Sequence, residues 1–478
     1  MKSIPEKGLS EEEVIKGLEG FRREDHSLYD GRMFGHAFLV NEDVRRVAER
    51  AFVMYLWENA LDPGLFPSLM EMEREVVSMS AAHLSGDSEV VGNFTSGGTE
   101  SVLLAVKTAR DRARAERGVS EPEMVLPVTA HASFHKAAEY FCLKPVFIPV
   151  DPRTFRADVN AAKEAVTDNT ALIVGSAVSY AHGVVDPVPE LAELAQSRGV
   201  SLHVDGCIGA FLLPYFRELG VEFPDFDFRV PGVTSISMDF HKYGFAPKGA
   251  SVILHRNRDH RKYQIFASSK WTGYTIINPT VQSSRSGGAL AATWAVLNYL
   301  GQEGYRKAAK ELYRATQEIK QAVRETDDLY VIGEPEMCIL SVGSDTVDIF
   351  RLVDEMKSRG WHIQAQFKLG KSHKENFHIT VLPPNTGLIE QWKKDLQDSV
   401  EAVKSEPAEP VPEELVSALS DENLEDMDGD RLEGLFKLAG IEGGELPKSM
   451  AGVNRILNSL PPEVADRLFI YFYNMVSG

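Results

Sequence analysis

The stretch SMDFHKYGFAPKG, residues 237–249, sets two lysines, Lys242 and Lys248, six positions apart among aromatics, glycines and a proline. Lys242 follows a strand-like run, VTSISMD, and is flanked by His241, Tyr243 and Phe245. Desolvation by those neighbours would lower the pKa of its amine and free it as a nucleophile. The other reading is a solvated loop lysine.

Two earlier segments could serve such a lysine. In GNFTSGGTESVLLAVKTARDRA a Gly/Ser/Thr loop runs straight into an amphipathic helix. The free amides around Gly97, Gly98 and Thr99, with the Thr99 hydroxyl, would seat an anion. A plain turn with an N-cap reads the same way. Neither a Walker GKS/GKT nor a Rossmann GxGxxG is present. In LHVDGCIGAF, Asp205 ends an alternating strand, as a turn carboxylate or as one at the ligand-binding edge of a sheet. Taken in order, anion seat, carboxylate and lysine are what pyridoxal 5′-phosphate needs. The loop would hold its phosphate, Asp205 would keep its pyridine nitrogen protonated, and Lys242 would hold its aldehyde as a Schiff base. His131 lies between seat and carboxylate and could stack on the ring. His131 and His135 also have i,i+4 spacing, but no adjacent Glu supports a zinc site, and no metal is expected. His373 and His378 read as solvent-facing or packing residues.

The elements that must position these groups are legible as alternation. From about residue 70 to 300, short apolar runs (MVLPVTA, PVFIPV, TALIVGSAV, VSLHVDG, VTSISMD, ASVILHR) alternate with helical stretches. That pattern predicts an α/β fold with a large, mostly parallel sheet, whose ligands sit beyond the strands' carboxyl ends. Residues 1–69 read as an N-terminal helical segment, and 301–404 as a smaller α+β domain containing CILSVGS, WHIQAQ and NFHITVLP. Residues 405–478 read as an acidic Pro/Glu-rich linker with a helical tail. The acidic run SDENLEDMDGD lacks the glycine that an EF-hand loop requires and reads as a solvated helix start.

Composition excludes several classes. The 478 residues carry a formal net charge of −19, against nucleic-acid binding and against docking on an anionic membrane. No apolar run approaches a membrane span, and no secretory leader is apparent. Three scattered cysteines, Cys142, Cys207 and Cys338, predict reduced thiols in a cytoplasmic protein rather than a disulfide framework.

As a set, TSGGTES, HASFHKAAEYF, HGVVDPVPE, LHVDGCIGAFLLP, FDFRVPGVTSIS, HKYGFAPKGAS and SRSGGALAATWA resemble the sphingosine-1-phosphate lyases of the group II pyridoxal-phosphate decarboxylase superfamily. The segments run in family order over roughly residues 30 to 400. The resemblance implies a fold-type-I homodimer with shared active sites. It makes Lys242 the cofactor lysine, Asp205 the partner of the pyridine nitrogen and His131 the stacking residue. It puts Gly98, Thr99 and His241 near the cofactor phosphate. Ser284, Gly287 and Gly288 would belong to a loop lent to the neighbouring site. Lys248 and Asn59 match residues that surround the substrate in that family.

The chain departs from the family where the substrate's phosphate is held. Phe38 stands for a tyrosine and Asp62 for a histidine. Phenylalanine cannot donate a hydrogen bond, and a carboxylate repels phosphate. The reading is a lyase that cleaves the Cα–Cβ bond of an amine substrate, with an altered phosphate subsite in which Lys248 grips an anion or neutralises Asp62. An amino-acid decarboxylase acting on a non-phosphorylated substrate is the alternative, and a catalytically silent scaffold a third. Tyr180, in SAVSYAHG, could supply the proton-transfer group that Phe38 cannot, or could simply pack at a strand end.

Overall fold

Every apolar run singled out between residues 124 and 256 is a strand in the computed structural model, which describes residues 3–62, 64–369, 373–405, 447 and 449–477. The large sheet contains β1 (Val91–Thr95), β2 (Glu123–Pro127), β3 (Lys144–Ile148), β4 (Thr170–Ser176), β5 (Ser201–Asp205), β6 (Ser235–Asp239) and β7 (Ser251–His255). Their order is β1-β7-β6-β5-β4-β2-β3. β7 runs antiparallel to both its neighbours, so the other six strands point the same way. β2, β4, β5, β6 and β7 are buried along their whole length, as strands covered on both faces must be.

β1 was not anticipated. The sequence reading takes GNFT as the start of the anion-seat loop, and Gly and Asn are indeed poor strand formers. Pairing with β7 makes them a strand, with Val91 opposite His255 and Thr95 opposite Ser251. The loop is therefore shorter, and the helix Gly98–Arg117 starts three residues past a strand end. That helix ends on Gly118 at φ 67°, whose amide and that of Val119 return to Arg114 and Ala113.

A hairpin of β8 (Phe266–Ser268) and β9 (Ile276–Asn278), also unanticipated, follows the large sheet. The helix Gly287–Glu325 then leads into a four-stranded antiparallel sheet. That sheet contains β10 (Leu329–Val331), β11 (Ile339–Ser344), β12 (Gln364–Gln366) and β13 (Asn376–Thr380), in the order β10-β11-β13-β12. The long helix breaks at Gly301, whose φ of 55° and ψ of −177° suit a residue without a Cβ. One apolar core continues from the large sheet into the smaller unit, where Trp361, Phe377 and Trp392 are fully buried.

Near the C-terminus, helices Ala451–Ser459 and Pro462–Ser477 share their own apolar cluster of Val453, Leu460, Val464 and Leu468. The first is tied to the smaller unit by Asp354, which accepts from Ser449 Oγ and from the amides of Met450 and Ala451. Most of the linker and all of the SDENLEDMDGD run lie outside the described residues. Among the described residues no helix is long and apolar enough to cross a membrane.

Candidate active site

The carboxyl ends of β1, β2, β4, β5 and β6 converge on a cavity of about 340 Å³. That is the low end of the range for a small-molecule or cofactor site. Ser96–Glu100 come from the loop after β1, and His131 and Ser133 from beyond β2. β4 supplies Ser176, Val178 and Tyr180; β5 supplies Asp205, Cys207 and Ile208; β6 supplies Asp239, His241 and Lys242. The cavity thus gathers eight of the residues singled out from sequence: Gly97, Gly98, Thr99, His131, Tyr180, Asp205, His241 and Lys242.

The lysine loop is rigid for identifiable reasons. Phe245 N–H bonds Lys242 O, Ala246 N–H bonds Phe240 O, and His241 N–H bonds Ala250 O. Phe245 sits at φ 59°, in the sparsely populated left-handed region. Tyr243 Oη donates to Val381 O at 3.0 Å and Tyr305 Oη to Gly244 O at 2.9 Å, bracing the loop from two sides.

Lys242 corrects the expectation of a depressed amine pKa. Burial alone would lower it, but the Asp239 carboxylate, with Cys207 and Asp205 behind it, raises it above the usual lysine range. Asp239 Oδ2 lies 3.0 Å from Lys242 Nζ. The flanking aromatics are real, but the nearest charge decides the direction. Asp239 is the residue that the sequence reading missed. It ends β6 as Asp205 ends β5, so the strand-end argument applied to Asp205 would have found it.

Asp205 is buried, which pushes its carboxyl up. His131, Lys242 and hydrogen bonds from Cys207, whose amide lies 3.0 Å from Asp205 Oδ1, outweigh burial and hold it ionised. His131 is fixed by Ser133, whose amide donates to Nδ1 at 3.2 Å, leaving the ring proton on Nε2 when neutral. Burial and the neighbouring lysines hold His241 neutral, at about 4, against the pull of Asp239. Tyr180 is raised by burial, donates to Gln364 Oε1 at 2.9 Å and stacks on His378 at 4.4 Å. His378 is a buried packing residue on β13, and His135 packs against Phe147 with ring centres 5.0 Å apart.

The remaining candidates fall outside this cavity. Phe38 is buried edge-on to Tyr243, with Lys248 Nζ 5.2 Å from its ring centre, so these two do meet. Asn59 binds the amides of Leu61 and Arg285 and approaches Ser284. Asp62 is exposed and caps a turn through Gly64 N–H at 2.8 Å. Among the described residues no ion pair joins Asp62 to Lys248, so the expected neutralisation does not occur within one chain. Gly287 and Gly288 allow close packing: a Cβ on the first would meet Leu69 at 2.7 Å and on the second Phe52 O at 3.0 Å.

The cavity suits pyridoxal 5′-phosphate. A Cβ on Gly98 would lie 2.7 Å from Asp239 Oδ2 and 2.8 Å from Cys207 Sγ, so the seat needs glycine for its backbone to approach. An ionised strand-end carboxylate, an imidazole held by its own turn and a lysine complete the donor set.

The comparisons agree. A family model described as the pyridoxal-dependent decarboxylase conserved domain matches residues 64–342, and one described as a C-terminal HTH domain of pyridoxal-dependent enzymes matches 412–475. The chain is 41% identical over 412 residues to a sphingosine-1-phosphate lyase of Oryza sativa subsp. japonica, covering 84% of this chain and 75% of that one. It is 35% identical to a probable L-aspartate decarboxylase of Pyrococcus furiosus, covering 76% and 95% of the two chains. The solved structure of a Burkholderia pseudomallei sphingosine-1-phosphate lyase superposes with a TM-score of 0.81 at 37% identity, covering 85% of this chain and 94% of that one.

Proposed function

The chain belongs to the pyridoxal-dependent decarboxylase family, in its sphingosine-1-phosphate lyase-like branch, and on that premise we propose that it cleaves the Cα–Cβ bond of a β-hydroxy amine to give an aldehyde and a smaller amine. It is a pyridoxal-phosphate-dependent lyase. The carrying observation is the 41% identity to a lyase across 84% of the chain, with Lys242 and Asp205 meeting in one cavity.

Bound pyridoxal phosphate supplies the electron sink for the pair released when a bond at Cα breaks. Lys242 would hold its aldehyde carbon and Asp205 its pyridine nitrogen. His131 would lie on its ring, while Gly97–Thr99 and His241 would hold its phosphate. Tyr180, protonated at neutral pH, would act as a proton donor on the cavity wall rather than as a resting base. Residues 70–300 would carry the cofactor, and 301–404 would form the smaller unit beside it.

The substrate's phosphate grip is altered. Lys248 rests against the Phe38 ring, a contact worth about 1 kcal/mol, where a tyrosine hydroxyl would have faced an anion. Product analysis with sphingosine 1-phosphate, other phosphorylated bases and amino acids tests this. An aldehyde product is expected, whereas carbon dioxide would select the decarboxylase alternative that the L-aspartate decarboxylase likeness keeps in view. Phe38→Tyr with Asp62→His is expected to raise kcat/KM for sphingosine 1-phosphate at least about tenfold, the worth of 1.4 kcal/mol. Ordinary saturation of the unaltered enzyme by that substrate, with no gain from the double change, would sink the altered-subsite idea.

The working unit would be a homodimer. Trp57 is 90% exposed, and Val53, Met54, Leu65, Phe266, Trp271 and Ile277 also stand in solvent on one chain. Val53, Met54 and Trp57 lie within five residues of one another, and exposed apolar residues grouped in this way support an interface. Asn59, Asp62, Ser284, Gly287 and Gly288 would lie at the neighbour's site. Trp57→Glu with Ile277→Glu is expected to give monomers in light scattering and to lose activity with dimerisation; an active monomer would refute the shared site. Cys142, Cys207 and Cys338 are all unpaired, which supports a reducing compartment such as the cytoplasm.

A further inference from the structure

Asp239 is the most buried carboxylate of the cavity, at 2% exposure. Two donors face its Oδ2: Lys242 Nζ at 3.0 Å and His241 Nε2 at 3.5 Å. Ala250 N–H donates to His241 Nδ1 at 3.2 Å, so the neutral ring carries its proton on Nε2, on the side of Asp239. The other oxygen, Oδ1, is buried with no hydrogen-bond partner. The carboxylate is also pressed against the anion seat, where Gly98 leaves it room. A buried carboxylate with one oxygen unpaired depends on its cation, here the Lys242 ammonium.

We propose that Asp239 is the counter-ion on which the Lys242 ammonium rests whenever that lysine is not joined to the cofactor, and that it thereby sets how fast Lys242 takes the cofactor up. Asp239 is a positioning residue in this role. The inference rests on Lys242 being the cofactor lysine. To react, the ammonium must first give one proton to solvent. Its nitrogen then bonds to the aldehyde carbon, and the carbonyl oxygen leaves as water. While Asp239 holds the proton on Nζ, the reactive amine is scarce at neutral pH. The other titratable groups facing Lys242 are Asp205, Cys207, Tyr180, His131, His241 and Lys248. Asp205 and Cys207 act in the same direction as Asp239, but only Asp239 is in contact with Nζ.

The test follows the rise of visible absorbance when pyridoxal phosphate is added to the full chain after its cofactor has been removed. For the unaltered protein, the uptake rate is expected to climb about tenfold per pH unit between pH 6 and 9. In Asp239→Asn, a buried amine without its contact counter-ion sheds its proton more readily. Uptake at pH 7 then rises at least about tenfold, and its pH dependence flattens. Asp239→Glu restores the slope. An Asn variant that keeps both the original rate and slope, or that folds and never takes up cofactor, overturns the proposal. A measurement needing no variant is competitive acetylation of the cofactor-free chain, read by mass spectrometry. Lys242 is expected to react only at higher pH than exposed lysines, and reaction at or below their pH overturns the proposal. Mapping the reduced cofactor adduct to a residue other than Lys242 would instead overturn the cofactor-lysine assignment.

Discussion

Lys242→Ala is expected to abolish the visible absorbance of the bound cofactor and to lower turnover by at least about a thousandfold, on the order of 4 kcal/mol of barrier. Among the described residues no other lysine lines the cavity, and Lys248 Nζ lies 5.2 Å from the Phe38 ring centre. The truncation also has a structural cost, because it strands Asp239 with one oxygen already unpaired. Removing one partner of a buried pair typically costs roughly 3–5 kcal/mol. The single variant should therefore melt well below the parent, and Lys242→Ala with Asp239→Asn should recover much of that loss while remaining colourless and inactive. Absorbance, product formation and thermal melting separate the two effects. A Lys242→Ala protein that keeps its colour would remove Lys242 from the chemistry and return the scaffold reading to consideration.

The sequence reading succeeded where one physical signal was sufficient. Strands β2, β4, β5, β6 and β7 stand out as apolar-rich runs because both faces of the sheet are covered there, and that signal survives without tertiary information. β1 and β10 failed it. VGNFT is a strand because β7 is beside it, and LYV because β11 is. The site shows the same division. Asp205, His131 and Lys242 could be singled out as candidates from residue type and from their places after strands, and one cavity gathers them. The sign of the pKa shift at Lys242 is not recognisable, because it depends on a 3.0 Å contact formed as the chain turns after β6. Near neighbours in sequence, His241, Tyr243 and Phe245, suggested desolvation, whereas the residue three places back supplies the charge. The groups at Phe38 and Lys248 and at Asn59 and Ser284 form two clusters in one chain. Whether they act at one site depends on assembly, about which residue order carries no direct signal.

Stability is expected to fall steeply as pH drops from 6.5 towards 4. His182, His203, His255 and His378 are all at most 4% exposed. Burial holds His182 and His255 at about 3 and His203 and His378 at about 4, while in the unfolded chain they titrate near 6.5. Between those values the unfolded state binds more protons than the folded one. Stability therefore rises with pH and is lost on acidification. Asp186 works the other way. It is raised to about 6 by burial despite the amides of Ala157 and Ser176 on its oxygens, so the folded state holds its proton more tightly and favours acid. His241 is held at about 4 in the same way and burial raises Asp227 to about 7, so five well-buried groups oppose two; each is worth about 1.4 kcal/mol per pH unit, and the net slope is on the order of 4 kcal/mol per pH unit. Against a total stability of roughly 5–15 kcal/mol, acid unfolding should begin near pH 5. Urea titrations followed by circular dichroism at steps between pH 7 and 4 measure the slope directly. His255→Gln keeps a side chain able to bond Gln264 and removes one titrating group, and it should flatten the net slope by about a third. A stability that is level across the same range would mean that these histidines take up protons inside the fold, which their burial among apolar side chains argues against.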